Sequence, residues 1–501
     1  MPSLPLAALS GVLLFLSFPN LGHPAVAWLA VVPLLVALAR ANPWQGLRLG
    51  AVTGVVHFAG TLYWIPAVMV DYGGLPAAAA WPVHALLVVF LALFPALFAA
   101  GVADLALRFG ARGLLFAPAL WVTTELGRIH LFTGFPWALL GYSQVPFPAV
   151  AQTASIAGVL GVSALVVLVN ATIAYAVVAA PGTRRTPVLA TAAVVFAAAA
   201  FGAWRIEDGS LLRAGDPLRV AALQGNVRQD EKWNPLRGDA ILDTYLGQTR
   251  RAAAAGAGLV VWPESATPFA LDRDPRGEAV RAVARETAAH LLVGTTEVVR
   301  EGGTRYYNAA YLIEPEQGST SGVYRKQRLV PFGEYVPLRQ ALFFVSPLVE
   351  SVAGFSAGTE SRTLPVGGSA VGTAICYEII YPGLVREFVL RGSRLLSTVT
   401  NDAWYGRSAA PYQHFQQATM RAIEQGRFLV RAANTGISGV IDPYGRVLAR
   451  SGLFEPAVVV EDVRLLDDLT VYGRFGDAPA YAGAAIAALA LWGGRRRWIR
   501  G

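Results

Sequence analysis

Hydrophobic runs long enough to cross a membrane recur through the first 204 residues of the 501-residue chain. A transmembrane helix needs about 20 predominantly apolar residues to cross ~30 Å of hydrocarbon. The pattern predicts eight transmembrane helices, seven before a long polar insert and one after it. Their expected ranges are 4–20, 24–39, 49–70, 76–100, 113–127, 149–180, 186–204 and 478–494. The range 113–127 fits least well because it is short and contains Glu125.

Arginines at the ends of these ranges predict the topology. They form four groups: Arg40 and Arg48, Arg108 and Arg112, Arg184 and Arg185, and Arg495, Arg496 and Arg497. With eight crossings, all four groups lie on one side of the membrane, and the positive-inside rule makes that side cytoplasmic. Both termini are then expected in the cytoplasm and residues 205–477 on the opposite side. Arg128 is the exception to this pattern.

The polar insert has the pattern of an α/β domain. Apolar runs rich in β-branched residues lie at 218–223, 258–262, 290–294, 307–313, 370–375, 394–400 and 457–460. Helical patterns such as 237–255 and 277–289 separate several of them, which is typical of a sheet covered by helices. We therefore expect a membrane domain at 1–204, an extramembrane domain at 205–477, and a last helix with a basic tail at 478–501.

The composition favours an integral membrane protein whose partner is the lipid bilayer. Charged residues make up 15% of the chain, below the roughly one quarter that is usual in soluble proteins. The net charge of +8 is scattered along the chain, so nucleic-acid binding is not expected. The first apolar run lacks a basic segment before it and is interpreted as a retained helix rather than a cleaved signal. The single cysteine, Cys376, excludes an intramolecular disulfide.

Three short motifs in the insert contain reactive side chains. Glu264 follows an apolar run, Lys326 precedes a Pro-Phe-Gly-Glu loop, and Cys376 ends another apolar run and begins a Cys-Tyr-Glu motif. Taken singly, each has a structural interpretation. Glu264 could be a solvated loop carboxylate, Lys326 part of a solvated basic run, and Cys376 a buried core cysteine.

Together the three residues supply the groups needed to attack a carbonyl carbon. A free thiol has a pKa of ~8.5 and must lose its proton to become a nucleophile, and Glu264 is placed to accept that proton. Lys326 supplies a cation for the tetrahedral oxyanion. We expect the Tyr377 amide, between a strand and the N-terminus of a helix, to donate a hydrogen bond to the same oxyanion.

In this order and at these separations, the three residues resemble the Glu-Lys-Cys triad of the nitrilase superfamily. With membrane helices on both sides, the whole chain resembles the apolipoprotein N-acyltransferase family. Three further motifs support the resemblance: Gln224-Gly225-Asn226 with Trp233 shortly after, Asn401 to Gly406, and Thr133 to Trp137. The resemblance implies that the insert is a nitrilase-like αββα sandwich and the catalytic domain.

The resemblance also implies roles for residues around the triad. Glu334 would orient Lys326, Glu378 would form hydrogen bonds around the cysteine loop, and Tyr377 matches another residue that the family needs. Loop capping is the alternative for all three. Three aromatic residues are expected to bind substrate, with core packing as the alternative: Trp233, Trp404 and Tyr405.

The implied reaction is a two-step acyl transfer. Cys376 attacks an acyl ester of a phospholipid, typically phosphatidylethanolamine, and forms a thioester. The α-amino group of the diacylglyceryl-cysteine at a lipoprotein N-terminus then accepts the acyl chain, which is the final step of lipoprotein maturation. No metal or organic cofactor is required. We expect a monomer in the bacterial inner membrane with its catalytic domain on the periplasmic side.

Two other functions are weighed against this one. A membrane-tethered amidase or nitrilase would use the same triad to hydrolyse a small C–N bond. Acyl substrates explain the membrane helices better, because each buried methylene contributes ~0.8 kcal/mol toward staying in lipid. A transporter or receptor whose insert only binds a ligand would have no need of the triad.

Two features of the sequence have no assigned role. Asp104, Glu125 and Arg128 are ionisable residues in or beside predicted spans and are functional candidates, although Glu125 and Arg128 have the spacing of an ion pair at a helix end. The loop 331–358 is a candidate gate for substrates.

Overall fold

The computed structural model describes residues 3–331, 333–335 and 354–498, with side chains up to Gly493. The candidate gate 331–358 therefore lies mostly outside the described residues. The chain divides by its internal contacts into two units. We call the first the helical unit, which comprises Met1–Pro66, Ala78–Asp208 and Thr470–Gly501. We call the second the sheet unit, which comprises Ala67–Ala77 and Gly209–Leu469.

Helices occur in both units. In chain order they are α1 (Ser3–Phe15), α2 (Val32–Leu38), α3 (Pro43–Thr61), α4 (Ile65–Asp71), α5 (Ala77–Phe109), α6 (Ala117–His130), α7 (Pro148–Ala151), α8 (Ala154–Val178), α9 (Arg185–Asp208), α10 (Gln229–Lys232), α11 (Gly238–Ala254), α12 (Gly277–Thr287), α13 (Pro382–Leu390), α14 (Ala410–Gln425), α15 (Val471–Phe475) and α16 (Ala478–Trp498).

Local sequence signals determine where helices of the helical unit begin and bend. Asn42 and Gln45 form a capping box that starts α3, with Pro43 at its first position, where a missing N–H costs nothing. Helix α8 bends at Gly158, which has a φ of 66°. A Cβ atom there would lie 2.5 Å from the ring of Tyr472, so the bend and the close contact both require glycine.

Several helices have the length and apolar composition of membrane spans. In the described residues three qualify, Ala77–His130, Ala154–Val178 and Pro181–Leu212, and a fourth is added if α3 and α4, which meet at 49°, are one span. Shorter apolar helices cover Ser3–Phe15, Pro24–Leu38 and Ala478–Gly493. Together these helices overlap all eight predicted ranges. The predicted apolar helices are present, and the number of crossings stays a prediction.

Two six-stranded sheets form the centre of the sheet unit. The strands are β1 (Asp216–Gln224), β2 (Leu259–Val261), β3 (His290–Val299), β4 (Arg305–Ile313), β5 (Thr320–Arg325), β6 (Leu364–Val366), β7 (Ser369–Ile375), β8 (Leu395–Thr400), β9 (Leu429–Ala433), β10 (Gly439–Ile441), β11 (Val447–Arg450) and β12 (Ala457–Leu465). The first sheet has the order β12-β1-β2-β3-β4-β5 and the second β11-β10-β9-β8-β7-β6. The inner pairs β1–β2–β3 and β7–β8–β9 are parallel, and the pairs toward the edges are antiparallel.

The two sheets pack against each other, and an apolar core lies between the first sheet and its helices. Strand β1 packs on β9 and β4 packs on β7, while α11 covers the first sheet and α13 and α14 cover the second. The parallel strands are buried along most of their length, as expected for strands covered on both faces. The αββα sandwich implied by the resemblance is confirmed.

The sequence pattern identified seven of the described strands and missed five, of which β9 and β10 are fully buried. The seven predicted apolar runs overlap β1, β2, β3, β4, β7, β8 and β12. Strand β5 was missed because its sequence, TSGVYR, contains few apolar residues. Strands β9, β10 and β11 were missed because they are short and carry arginines and a glycine. The two predicted helices 237–255 and 277–289 correspond to α11 and α12.

Candidate active site

Glu264 lies in the loop that follows β2 and is nearly buried, with 6% of its surface exposed. Its Oε1 accepts hydrogen bonds from Asn308 Nδ2 at 2.7 Å and Lys326 Nζ at 3.2 Å, and its Oε2 accepts one from the backbone N–H of Asn401 at 2.9 Å. Burial acts to raise the pKa of this carboxyl, but the Lys326 cation and the hydrogen bonds outweigh it and the pKa is lowered. Glu264 is therefore a carboxylate at neutral pH.

Lys326 follows directly after β5 and is 1% exposed. Its ammonium lies between two carboxylates, 3.2 Å from Glu264 Oε1 and 2.9 Å from Glu334 Oε2. Burial acts to lower its pKa, but the two negative charges outweigh it and raise the pKa. Glu334 also accepts hydrogen bonds from the backbone N–H of Val330 and from Asn308. The loop that Glu334 closes thus holds the lysine in place.

Cys376 follows directly after β7 and is 6% exposed. Its φ of 54° lies in the left-handed region, which is uncommon for a side chain other than glycine and is often found at functional sites. The thiol and the Glu264 carboxylate are close enough for each to shift the pKa of the other. Burial and the charge of Glu264 raise the pKa of the thiol, while Lys326 acts in the opposite direction. The resting pair is a thiol next to a carboxylate that can take its proton.

Glu378 connects the cysteine turn to the lysine loop. The side chain is fully buried and accepts hydrogen bonds from the backbone N–H groups of Ile375 (2.8 Å), Gln327 (2.6 Å) and Arg328 (3.1 Å) and from the hydroxyl of Tyr324 (2.8 Å). Burial raises its pKa to about 7, against the opposing effect of the backbone donors. Glu378 therefore fixes the relative positions of Lys326 and Cys376 without contacting either side chain.

Tyr377 is also buried, and its ring lies 5.4 Å from that of Tyr381. A short 3-10 helix, Cys376–Ile380, begins directly after β7, and α13 follows from Pro382. The Tyr377 amide therefore lies in the first turn of a helix, near its N-terminus as predicted. The helix is of the tighter 3-10 type, and the Glu378 side chain accepts the Ile375 N–H at its start.

The three aromatic residues expected to bind substrate have different environments. Trp233 is 51% exposed, so core packing does not explain it. The ring of Trp404 lies 5.4 Å from that of Tyr72, which also belongs to the sheet unit. Tyr405 lies 6.1 Å from the ring of His414, and burial together with the charges of Cys376 and Asp402 raises the pKa of its hydroxyl. Tyr405 therefore faces the cysteine, while Trp233 faces outward.

Comparison with known proteins assigns the chain to a family. Residues 10–172 match the family model for the apolipoprotein N-acyltransferase N-terminal domain, and residues 219–467 match that for carbon-nitrogen hydrolases. The apolipoprotein N-acyltransferase of Geobacter metallireducens is 41% identical over 97% of this chain and 95% of its own length. The chain belongs to the apolipoprotein N-acyltransferase family. Other members are those of Methylococcus capsulatus (36% identical, 96% of this chain and 94% of that one) and Pseudomonas putida (36%, 94% and 92%).

Among solved structures, this member of the N-acyltransferase family is similar to a Nesterenkonia amidase of the nitrilase superfamily. The two share 23% identity over 54% of this chain and 98% of that one, with a TM-score of 0.40. A score this low adds nothing to the fold described above.

In this N-acyltransferase family member, the sequence did not reveal two residues of the site. Asn308 lies inside β4 and donates hydrogen bonds to both Glu264 and Glu334. The sequence feature that could have identified it is a single amide side chain in a strand of otherwise mostly aromatic and apolar residues. Lys232 is buried and its Nζ donates to the main-chain oxygen of Glu264 at 3.0 Å. Lys232 could not be recognised from the sequence, because it lies in a polar run beside Glu231 and resembles a solvated lysine.

A buried polar cluster behind Cys376 was also not predicted. His414 Nε2 lies 3.2 Å from the Cys376 carbonyl oxygen, and its Nδ1 lies 3.1 Å from Asp402 Oδ1. Arg431 donates to Asp402 Oδ2 at 2.7 Å. Burial acts to raise the pKa of Asp402, but Arg431 and His414 outweigh it and hold the pKa well below its usual range. Through His414, the cluster supports the left-handed backbone of Cys376.

Proposed function

We propose that this chain is an apolipoprotein N-acyltransferase, which moves an acyl chain from a phospholipid through a thioester at Cys376 to the α-amino group of a lipoprotein N-terminal diacylglyceryl-cysteine. One observation carries the proposal. A buried thiol lies within electrostatic reach of a carboxylate that is paired with a buried ammonium, in a chain that matches acyltransferases of this name over nearly its whole length.

In the first step the Cys376 sulfur attacks the carbonyl carbon of an acyl ester. Glu264 takes the thiol proton as the S–C bond forms, and the oxyanion of the tetrahedral intermediate is stabilised by Lys326. When the intermediate collapses, the ester C–O bond breaks and Glu264 returns the proton to the leaving oxygen. The products are the acyl-enzyme thioester and a lysophospholipid.

In the second step the free α-amino group of the lipoprotein attacks the thioester carbon. Glu264 removes a proton from the amine as the C–N bond forms, and the second intermediate collapses with loss of the C–S bond. The proton returns to sulfur, which restores the thiol. The acyl chain is now held by an amide, so the lipoprotein leaves with its third acyl group and the enzyme is unchanged.

Supporting residues have roles that follow from their contacts. Glu334 holds Lys326, and Glu378 holds the lysine loop against the cysteine turn. Tyr377, Trp404 and Tyr405 are proposed to contact the acyl donor near the sulfur. Trp233, the exposed aromatic of the group, is proposed to contact the acyl chains of a substrate that approaches from lipid.

The membrane arrangement completes the proposal. Residues 1–204 cross the bacterial inner membrane seven times, the catalytic domain 205–477 lies in the periplasm, and 478–501 contains the eighth crossing. The enzyme acts as a monomer and uses phosphatidylethanolamine as its donor. The family match at residues 10–172 favours this function over a membrane-tethered amidase, because a small soluble C–N substrate gives no reason for the apolar helices.

The test is incubation of the purified protein with phosphatidylethanolamine. We expect an acyl adduct on Cys376 in the intact mass, its removal by hydroxylamine, and release of lysophospholipid. Cys376→Ala and Cys376→Ser should form none, because the first has no nucleophile and the second has a hydroxyl that is much harder to ionise. Glu264→Gln should slow thioester formation by about 10²–10⁴-fold. Ammonia release from a small amide, with no lipid product, would contradict the proposal.

A further inference from the structure

Lys232 is buried in a segment whose other residues face solvent. It ends the short helix α10 and is 2% exposed, whereas Trp233 is 51% and Leu236 is 91% exposed. Lysine is among the residue types least often buried, and an ammonium taken out of water must be compensated by its surroundings. Burial of the Lys232 ammonium therefore costs free energy that its surroundings must offset.

The choice of lysine at this position is itself informative. The 41 lysines and arginines of the chain include two lysines, Lys232 and Lys326; the other 39 are arginines. Both lysines are buried, and both donate a hydrogen bond to Glu264. A compact ammonium differs from a planar guanidinium in size and in how readily its charge responds to burial. The two positions that retain lysine are thus the two that contact the same carboxylate residue.

The contacts of α10 explain how Lys232 is held. Lys232 Nζ donates to the main-chain oxygen of Glu264 at 3.0 Å. At the other end of α10, Gln229 accepts a hydrogen bond from the Asn401 side chain at 2.7 Å, and the Asn401 backbone N–H donates to Glu264 Oε2. Both ends of the helix therefore meet loops that position Glu264.

The Lys232 ammonium has no direct ion pair in the part of the chain that the structure describes. The charged or ionisable groups that face it are the Glu264 carboxylate and the Cys376 thiol, and burial lowers its pKa to about 8 against their opposing effect. Lys326 and Glu334 lie beyond Glu264 and neutralise each other in part. A buried cation without a direct ion pair interacts favourably with any negative charge that develops at the sulfur.

We propose that Lys232 is a second positioning cation of the site, which acts through Glu264 by holding its main chain and by stabilising the negative charge that Glu264 and Cys376 exchange. The proposal rests on the proposed function in one respect, namely that Glu264 accepts the thiol proton. When that proton moves, the negative charge moves from the carboxylate to the sulfur, and Lys232 interacts with both. The charge of Lys326 does not act on Glu264 alone, because its ammonium also forms an ion pair with Glu334.

The first experiment needs no substitution, because the chain has one thiol and two lysines. Cys376 is alkylated with iodoacetate, which adds a carboxylate, or with iodoacetamide, which adds a neutral group of the same size. Trace acetylation by acetic anhydride, read by peptide mass spectrometry between about pH 6 and pH 11, then gives the titration of Lys232. We expect a higher pKa of Lys232 in the carboxymethyl protein than in the carbamidomethyl protein. The same titration in both would overturn the proposal.

The second experiment uses Lys232→Met and Lys232→Arg, with Arg237→Met as a control that removes an exposed charge from the same segment. Thioester formation by Lys232→Met should have a kcat lower by about tenfold, equivalent to one pKa unit of charge stabilisation, with KM for the phospholipid unchanged. Wild-type activity should fall as the pH rises through about 8, since the cation is then lost, and Lys232→Arg should not show this decline.

Two results would count against the proposal in this second experiment. A raised KM with an unchanged kcat would make Lys232 a group that binds the donor, and wild-type kinetics in Lys232→Met would remove it from the site. Absence of acyl transfer in the wild-type protein would instead contradict the proposed function. The acetylation result would still test Lys232, since it depends on charge at the sulfur and not on any acyl substrate.

Discussion

The chemistry of the site depends on single residues that keep their charge, or hold others in place, without access to water. An isolated carboxylate or ammonium in such a place would become neutral. Glu264 and Lys326 avoid this because each has several partners. Removal of one partner from such a group leaves the other buried and unpaired, which is usually strongly destabilising. Residues that never touch the substrate can therefore control the reaction.

Glu378 provides a prediction at this scale. Glu378→Gln cannot accept all four hydrogen bonds, because one end of an amide is a donor, and it should lower the free energy of unfolding of the sheet unit by about 1–3 kcal/mol and reduce thioester formation. Tyr324→Phe removes one donor and should cost about 1 kcal/mol. Thermal unfolding followed by fluorescence, together with the acyl-adduct mass assay, checks both. Equal effects from the two variants would show that the backbone contacts of Glu378 do not matter.

At the scale of secondary-structure elements, the ends of strands bring the reactive groups together. Strands β2, β5, β7 and β8 end next to Glu264, Lys326, Cys376 and Asn401, respectively. Two of these strand ends are followed by left-handed residues, Ser265 and Cys376. The sheets supply rigid positions, and the strained turns aim the side chains at one another.

Gly294 in β3 allows the Glu264 loop to lie against the sheet. A Cβ atom at this position would lie 2.7 Å from Glu264 Cα and closer still to the Pro263 carbonyl oxygen. Gly294→Ala should therefore displace Glu264 and lower kcat by about 100-fold, the loss expected for a displacement near 1 Å. Gly247→Ala, in α11 with open space around it, is the matched control and should be neutral or slightly stabilising. Comparable kcat values for the two variants would show that this close approach is not needed.

At the scale of the whole molecule, an α/β sandwich is inserted into the sequence of an apolar helical unit. The helices expose many large apolar side chains, including Leu86, Leu97 and Phe196. Such a surface is unfavourable in water and favourable in hydrocarbon. The arginine pattern predicts which side of the membrane the sandwich occupies.

A reporter fusion after Gly209 tests this orientation. A reporter that is active only in the periplasm should give a signal, and one that is active only in the cytoplasm should not, because seven crossings are predicted to precede this position. A fusion after Arg112, between the fourth and fifth predicted spans, is the internal control and should give the opposite pattern. A cytoplasmic signal at Gly209 would contradict the proposed topology.

Much of the fold could be predicted from local patterns. The apolar runs predicted the positions of the long helices, and the apolar β-branched runs predicted seven of the strands. The order of Glu264, Lys326 and Cys376 indicated one site. Lys232 and Asn308 could not be recognised in this way, because the first lies in a polar run and the second in an apolar one. Their roles arise from neighbours that are distant in the sequence.

Taken alone, the sequence determined the division into apolar helices and an α/β insert, since hydrophobic periodicity and run length act locally. It also predicted which residue is the nucleophile, because the chain has one cysteine. Only the tertiary structure decided that Lys232 points inward, that Glu378 joins two loops, and that a 3-10 turn follows Cys376. The physical reason is distance along the chain. Glu264 forms hydrogen bonds with Asn308, 44 residues later in the sequence, and with Asn401, 137 residues later. Only the pairing and stacking of the strands brings such residues together.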